Sequence, residues 1–186
     1  MGIVFIDMAI SLDGFVGGLN DDDVGLYNWY FAAVGDANNP SSAVIAELLE
    51  TIGAMIMGRR TYHTGDEHAG SDNPYKMPHF VVTHTVPERS AQSDTAYTFV
   101  TDGIENALDH AKAAAGTKDV CIAGGANVAQ QFINAGLVDE IRLHVVPLLL
   151  GAGIRLFDNL AKPVELERTL VIESRGVTHL RFRVRK

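Results

Sequence analysis

Asp119–Pro147 have the sequence DVCIAGGANVAQQFINAGLVDEIRLHVVP, which contains a complete strand–helix–strand unit. Its apolar runs are short enough for strands, and a glycine pair separates the first run from a helical pattern. A helix that connects two apolar strands is typical of a parallel sheet. We predict, in order, a strand at Asp119–Ala123, a tight joint at Gly124 and Gly125, a helix at Asn127–Ala135 that ends at Gly136, and a strand at Glu140–Val146.

The same alternation of strands and helices extends towards the amino terminus. Ile3–Ile10 are almost continuously apolar, as in a strand that is buried on both faces. Asp102 and Glu105 have the spacing of a capping box, which predicts a helix that ends at Gly116. We further predict a short helix within residues 26–34, a helix from Pro40 that ends at Gly53, a polar loop at Tyr62–Pro78, and strands at Ala54–Met57, His79–Thr83 and Tyr97–Val100.

The last part of the chain has a different pattern. Arg168–Ser174 and Val177–Val184 flank Arg175 and Gly176, which predicts a hairpin of two antiparallel strands. The predicted fold class is therefore α/β, with a mixed, mostly parallel central sheet, flanking helices and a C-terminal antiparallel hairpin. With no second composition regime and no repeat, we expect residues 1–186 to form a single domain.

Composition excludes several classes of function. The chain of 186 residues has a formal net charge of -8, and an acidic surface disfavours nucleic acid as a partner. Cys121 is the single cysteine, which excludes an intrachain disulfide and the ligand set of a zinc deaminase, so we expect no metal site and a reducing, cytoplasmic location. No apolar stretch approaches the ~20 residues of a membrane span, so we expect a soluble protein.

Three predicted strands end in residues that are able to bind phosphate. Ligands of open parallel sheets bind beyond the carboxyl ends of the strands, where these residues lie. Glycine lets a diphosphate approach the backbone, and paired arginines bind phosphate oxygens through two donors. The alternatives are a tight joint, a solvated arginine pair and a polar strand end, each without a ligand. The motifs are Gly58-Arg59-Arg60-Thr61, Thr83-His84-Thr85 and Ala123-Gly124-Gly125-Ala126-Asn127.

Two single residues are further candidates for the chemistry. Asp13 follows the first strand, where a carboxylate is able to orient a substrate or relay a proton; the alternative is a turn-forming aspartate. Trp29 is a candidate for the cover of a substrate pocket, although aromatic residues at helical spacing more often belong to the core.

The motifs together resemble a known family. MAISLDGFVGG, IMGRRTY, FVVTHT and the stretch from Gly124 to Phe157 occur in the order found in the dihydrofolate-reductase-like superfamily. The most similar branch is the C-terminal reductase domain of the riboflavin-pathway deaminase–reductase, in a stand-alone form. This resemblance implies a dihydrofolate-reductase-like fold, NADPH as the cofactor, a small-molecule substrate and a homodimer. Leu148–Ile154 are the candidate dimer contact.

The resemblance also implies which residues hold the cofactor. The residues expected to bind the cofactor's phosphates are Gly58, Arg59, Arg60 and Thr61, and those expected to line its adenosine end are Thr83, His84 and Thr85. The residues expected to contact the diphosphate and the nicotinamide side are Gly124, Gly125, Ala126, Asn127 and Val128. Those expected to lie near the nicotinamide are Met8, Ala9, Val16 and Gly17. Ala123 occupies the position where riboflavin-pathway reductases carry an acidic residue.

Two departures from the family pattern, at Ala123 and near Ser42, guide the prediction of function. Ser42 stands near the position where folate reductases place their pterin-binding carboxylate. The main hypothesis is therefore an NADPH-dependent reductase of a small heterocyclic substrate. The family-inherited reaction is that of 5-amino-6-(5-phosphoribosylamino)uracil reductase in riboflavin biosynthesis. The alternatives are a non-catalytic nucleotide or ligand-binding module, a structural or interaction protein, and true dihydrofolate reduction.

Overall fold

A computed structural model of the chain describes residues 2–20, 24–68, 74–87 and 95–186, without the side chains of 66–68. Strands and helices alternate through most of these ranges. In chain order they are β1 (Val4–Ser11), α1 (Asn28–Ala33), α2 (Pro40–Thr51), β2 (Ile52–Gly58), α3 (Arg59–His68), β3 (His79–Val82), β4 (Tyr97–Val100), α4 (Ile104–Ala115), β5 (Asp119–Gly124), α5 (Ala126–Asn134), β6 (Glu140–Val146), β7 (Leu166–Ser174) and β8 (Val177–Val184).

The strands form one eight-stranded sheet in the order β4-β3-β2-β5-β1-β6-β8-β7. The first six strands in this order are parallel to one another. β8 runs antiparallel to both β6 and β7. The predicted mixed, mostly parallel sheet with a C-terminal antiparallel hairpin is therefore confirmed.

The two faces of the sheet have different covers. On one face, Ile6 and Ile122 are fully buried, and they pack with Phe132 of α5 and Leu108 of α4 in the largest core cluster. On the other face, Phe5, Cys121 and Leu48 of α2 form a smaller cluster. α1, α2 and the start of α3 leave open space over this second face, and one of the two cavities described below lies there.

Three local predictions are wrong. Residues 62–68 belong to α3 rather than to the polar loop predicted at Tyr62–Pro78, of which residues 69–73 lie outside the described ranges. Tyr62 anchors this helix with only 2% of its surface exposed. α4 begins at Ile104 behind Gly103, without a side-chain cap, so Asp102 lies one residue too early for a capping box. Gly53 lies inside β2 rather than at a helix end; its Cβ would lie 2.8 Å from Cα of Ala115, so the close approach of α4 requires glycine there.

The topology places the carboxyl ends of β1 to β5 at one edge of the sheet. This edge is where open α/β sheets bind ligands. No helix in the described ranges is long and apolar enough to cross a membrane.

Candidate active site

A cavity of about 390 Å³ lies beyond the ends of β2 to β5. We call it the strand-end pocket. It brings together nine of the residues that the sequence analysis assigned to a cofactor. Its lining consists of Gly58, Arg59, Arg60, Val82, Thr83, His84, Thr101, Gly103, Gly125, Ala126, Asn127, Val128 and Gln131.

Three helices begin at this pocket. α3, α4 and α5 start directly after Gly58, Gly103 and Gly125, and each of these glycines lines the cavity. The caps of α4 and α5 have no side-chain hydrogen bond. Backbone N–H groups at helix amino termini need acceptors, and the helix dipole favours negative charge there. The pocket is therefore suited to the phosphates of a nucleotide.

Glycines stand where β2 and β5 end beside this pocket. A Cβ on Gly58 would lie 3.1 Å from Cγ2 of Val128, and one on Gly124 would lie 3.1 Å from Oγ1 of Thr61. Gly124 also has a φ of 135°, which L side chains rarely adopt, and its peptide bond to Gly125 is cis. Glycine is thus required where the ends of β2 and β5 meet, because Val128 and Thr61 occupy the space that a Cβ would take.

Arg59 is held in place by its neighbours. Its Nη1 donates to Oγ1 of Thr85 at 2.7 Å, and its Nε lies 3.4 Å from Nε2 of His63. Thr83 Oγ1 donates to the carbonyl oxygen of Thr85 at 2.9 Å, which fixes the turn after β3. Thr85 therefore contributes by positioning an arginine of the pocket, and it is not part of the pocket lining.

A second cavity, of about 340 Å³, adjoins the first where β2 and β5 end. We call it the aromatic pocket. Met57 and Ala123 line it, whereas Gly58 and Gly125, which follow closely along the chain, line the strand-end pocket. Its lining consists of Asp7, Ala9, Tyr27, Trp29, Tyr30, Phe31, Val44, Ile45, Leu48, Met55, Met57, Thr61, Tyr62, Gly65, Tyr75, His79, Tyr97, Cys121, Ala123 and His144.

Few groups in the aromatic pocket are able to carry charge. Burial raises the pKa of the Cys121 thiol well above its usual range, so this cysteine is a neutral thiol. Burial also raises the pKa of Tyr75 and lowers the pKa of His79. Asp7 and His144 lie next to each other, with His144 Nε2 3.0 Å from Asp7 Oδ1. Within the described ranges, no three His, Cys, Asp or Glu side chains cluster as metal ligands.

Comparison with known proteins identifies the family of the chain. A family model described as the RibD C-terminal domain matches residues 3–179. The chain belongs to the RibD C-terminal domain family. The uncharacterised protein YwjB of Bacillus subtilis is 30% identical to it over 161 residues, which are 86% of this chain and 84% of that protein.

Solved structures identify the fold of the chain. A putative riboflavin biosynthesis protein from Shewanella sp. PV-4 matches with a TM-score of 0.79, 23% identity and 99% coverage of both chains. Dihydrofolate reductase from Enterococcus faecalis, complexed with NADP(H) and RAB-propyl, matches with a TM-score of 0.58 and 16% identity, over 100% of this chain and 98% of that one. The predicted dihydrofolate-reductase-like fold is confirmed.

The other predicted site residues are spread over three places. Ala9, Thr61, Ala123 and Trp29 line the aromatic pocket. Met8 is buried in the core on the α4 and α5 side of the sheet. Val16 and Gly17 pair with Ile154 through backbone hydrogen bonds of 2.8 and 3.0 Å, and neither of them lines a pocket.

Asp13 also lines neither pocket. Its carboxylate accepts hydrogen bonds from Ser11 Oγ at 2.7 Å and from the backbone N–H groups of Leu150 and Gly151. These hydrogen bonds, with the one from Ser11 first, lower the pKa of Asp13 from 3.8 to about 2. The carboxylate is therefore ionised near neutral pH and ties two loops together, which does not favour the predicted role in proton relay.

Replacement of Asp13 by asparagine is expected to lower the Tm near neutral pH, because Asn accepts fewer hydrogen bonds from the 150–151 backbone. A carboxyl group whose pKa is lowered on folding stabilises the protein above its unfolded pKa, here 3.8, and loses that effect as the pH falls through about 2. The difference in Tm between the two proteins should therefore begin to shrink below about pH 4 and be lost near pH 2. Equal Tm values near neutral pH would contradict this role.

Some site residues were missed in the sequence. Thr101 and Gly103 follow β4, so the strand-end rule that identified the other three motifs also applies to them. Asp7 is an acidic residue inside an otherwise apolar strand, and a carboxylate in such a buried position indicates a paired or functional group. The partner of Asp7, His144, is 137 residues away in the chain, and only the β1–β6 register brings the two together.

Proposed function

We propose that this protein is an NADPH-dependent reductase that transfers hydride to a small, flat heterocyclic substrate. The observation that carries the proposal is a pair of neighbouring cavities, one beyond the ends of β2 to β5 and one over the sheet face next to α1 and α2. One cavity has the features of a phosphate site, and the other has an aromatic lining. Such a pair suits a dinucleotide that spans the first cavity and places its reactive ring at the second.

The residues of the strand-end pocket fit the cofactor. Arg59 and Arg60 supply the positive charge that favours NADPH over NADH through the extra 2′-phosphate. The amino termini of α4 and α5 supply backbone donors for the diphosphate. Thr61 lines the aromatic pocket next to Gly124, which the family resemblance assigns to the diphosphate and the nicotinamide side. When bound, NADPH supplies the hydride, and the protein supplies its position.

The aromatic pocket supports a substrate without phosphate. Among the described residues that line it, none is Lys or Arg, and Asp7 is the one carboxylate. A phosphate needs cationic or N–H donors, and burying it without them is unfavourable. Tyr, Trp and Phe rings instead offer faces on which a planar ring is able to stack. The phosphoribosyl group of the family-inherited riboflavin-pathway substrate therefore fits this pocket poorly, and an unphosphorylated heterocycle fits better.

The test of this function is the transfer of deuterium from NADPH labelled at C4. The protein is incubated with labelled NADPH and a panel of planar C=N and C=O heterocycles, each offered with and without a phosphoribosyl group. The expected result is deuterium in a product from an unphosphorylated compound, with label from one face of C4 only. Tight NADPH binding with no oxidation across the panel would instead favour a binding module.

A further inference from the structure

A chain of six polar side chains runs from the aromatic pocket towards the surface. It begins at Asp7, whose side chain is 12% exposed, and passes through His144, which is 5% exposed. The successive distances are 3.0 Å from Asp7 Oδ1 to His144 Nε2, 2.7 Å from His144 Nδ1 to His179 Nδ1, 2.8 Å from His179 Nε2 to Ser41 Oγ, 2.7 Å from Ser41 Oγ to Ser174 Oγ, and 2.8 Å from Ser174 Oγ to Asn39 Oδ1.

The outer end of the chain fixes its hydrogen-bond directions. The backbone N–H of Ser41 donates to Asn39 at 3.0 Å, so the contacting atom of Asn39 must be its oxygen. An amide oxygen only accepts hydrogen bonds, so the Ser174 hydroxyl donates to Asn39. The Ser41 hydroxyl in turn donates to Ser174, and its oxygen accepts a hydrogen bond from His179. Both hydroxyl hydrogens therefore point outwards.

The same matching of donors to acceptors assigns the hydrogens of the two histidines in the inner half of the chain. His179 must carry its hydrogen on Nε2 in order to donate to Ser41, so its Nδ1 is bare when the ring is neutral. His144 must then donate from Nδ1 to His179, which leaves a bare His144 Nε2 against Asp7 Oδ1. Two acceptors at 3.0 Å repel each other. The contact needs one further hydrogen.

A count gives the same result. The chain has five contacts, whereas two neutral histidines and two hydroxyls supply four hydrogens between them. If all hydrogens point inwards instead, Ser174 Oγ and Asn39 Oδ1 face each other at 2.8 Å with no hydrogen between them. Turning the Asn39 amide moves the conflict to the fixed N–H of Ser41. One additional proton resolves every contact.

The groups around the chain locate this proton at its inner end. Burial, and then the charge of neighbouring His144, lower the pKa of His179 to about 4, so His179 is neutral near neutral pH. Tyr75, which is hydrogen-bonded to Tyr30, faces Asp7 from the pocket, and Cys121 faces it from β5. On β6, Arg142 lies beside Asp7 in the register, but its Nε is paired with Glu140 at 2.7 Å. Arg181 on β8 pairs with Glu47.

We propose that Asp7 and His144 hold one shared proton at the floor of the aromatic pocket and deliver it to the bound substrate. The proposal rests on the reductase function given above. Asp7 and His144 are the catalytic residues, because both line the pocket. His179, Ser41 and Ser174 are positioning residues that impose the extra proton and connect the pair to the outer end of the chain.

The step balances in protons and electrons. When the carbon of a C=N or C=O group accepts hydride from NADPH, the π electron pair moves to the nitrogen or oxygen. That atom takes the proton from the Asp7–His144 pair, so one new C–H bond and one new N–H or O–H bond form. The oxidised cofactor leaves with the opposite change in charge. After the product leaves, a proton from solvent restores the contact between Asp7 and His144, and the hydrogens of the chain keep their directions.

The first test is the protonation state of each histidine nitrogen in the protein without ligands, measured by ¹⁵N NMR of the imidazole rings. The wild type is expected to carry hydrogen on His179 Nε2 and on His144 Nδ1, with a further proton at the Asp7–His144 contact. A wild type with hydrogen on His179 Nδ1 and His144 Nε2, and no further proton, would overturn the proposal.

A serine variant makes this test specific. Ser174→Ala leaves three contacts and three hydrogens, so the chain is satisfied with all hydrogens pointing inwards and Asp7 ionised. The variant is expected to move the His179 hydrogen from Nε2 to Nδ1. Ser42→Ala is the matched control, because Ser42 Oγ bonds to the carbonyl oxygens of Ala33 and Asp36 outside the chain. An unchanged His179 tautomer in Ser174→Ala would count against the proposal.

Asp7→Asn tests the delivery of the proton. The amide of Asn supplies the missing hydrogen to His144, so the chain is satisfied and the histidine tautomers stay as in the wild type. The kcat should fall by about 10²–10⁴-fold, the typical contribution of a general acid, while the affinity for NADPH is unchanged. An unchanged kcat overturns the proposal. If the wild type did not bind NADPH, the proposed reductase function would be overturned. The shared proton would still be tested, because the NMR measurements need no cofactor.

Discussion

The double variant Arg59→Ala, Arg60→Ala is expected to bind NADPH about 100-fold or more weakly than the wild type, because each charged hydrogen bond contributes roughly 1.5–3 kcal/mol. Both arginines line the strand-end pocket, and Thr85 and His63 hold Arg59 in position before any ligand arrives. Little side-chain entropy is therefore left to lose at Arg59 on binding. NADH has no 2′-phosphate, so its affinity should change far less.

The measurement is calorimetric titration of each protein with NADPH and with NADH. Arg175→Ala is the matched control, because Arg175 is an exposed arginine in the turn between β7 and β8, remote from the strand-end pocket. We expect the control to bind both nucleotides as the wild type does. Equal losses for NADPH and NADH in the double variant would mean that the arginines do not select the 2′-phosphate.

Trp29→Ala is expected to lower the free energy of unfolding by about 2–4 kcal/mol. Removal of a buried Trp side chain costs roughly 3–5 kcal/mol, and Trp29 is 7% exposed, with its ring 4.6 Å from that of His144 and 4.9 Å from that of His179. Part of this loss is offset, because the buried Nε1–H of Trp29 has no partner among the described residues. Burial of such a donor costs about 1–3 kcal/mol.

Urea denaturation followed by circular dichroism measures this difference as a shift of the midpoint at constant slope. Trp29→Phe is the companion variant, since it removes the N–H group and keeps most of the ring volume. We expect Trp29→Phe to be much closer to the wild type than Trp29→Ala. If the alanine variant were as stable as the wild type, Trp29 would not hold α1 against β6 and β8.

The overall fold was predictable because the relevant patterns are local. The limits of β6 are those expected from its apolar run, and the hairpin at Arg175 and Gly176 follows from turn chemistry. The strand-end pocket was predictable for a related reason. Parallel strands all end at one edge, so polar motifs that follow different strands, such as Arg59 and Thr83, come together whatever the details of packing.

The parts that were not predictable depend on tertiary contacts. α3 has a polar sequence without a clear apolar stripe, and the burial of Tyr62 against Val81 and Met57 stabilises it. Asp7, His144 and His179 are adjacent only because β1, β6 and β8 pair in one particular register. A shift of one residue would turn each of these side chains to the other face of the sheet.

The most direct test of the central claim is a titration of the wild-type protein with NADPH and NADH, followed by heat or by the fluorescence of Trp29. The account predicts tight binding of NADPH and much weaker binding of NADH, because Arg59 and Arg60 line the strand-end pocket. Failure to bind either nucleotide would contradict the account.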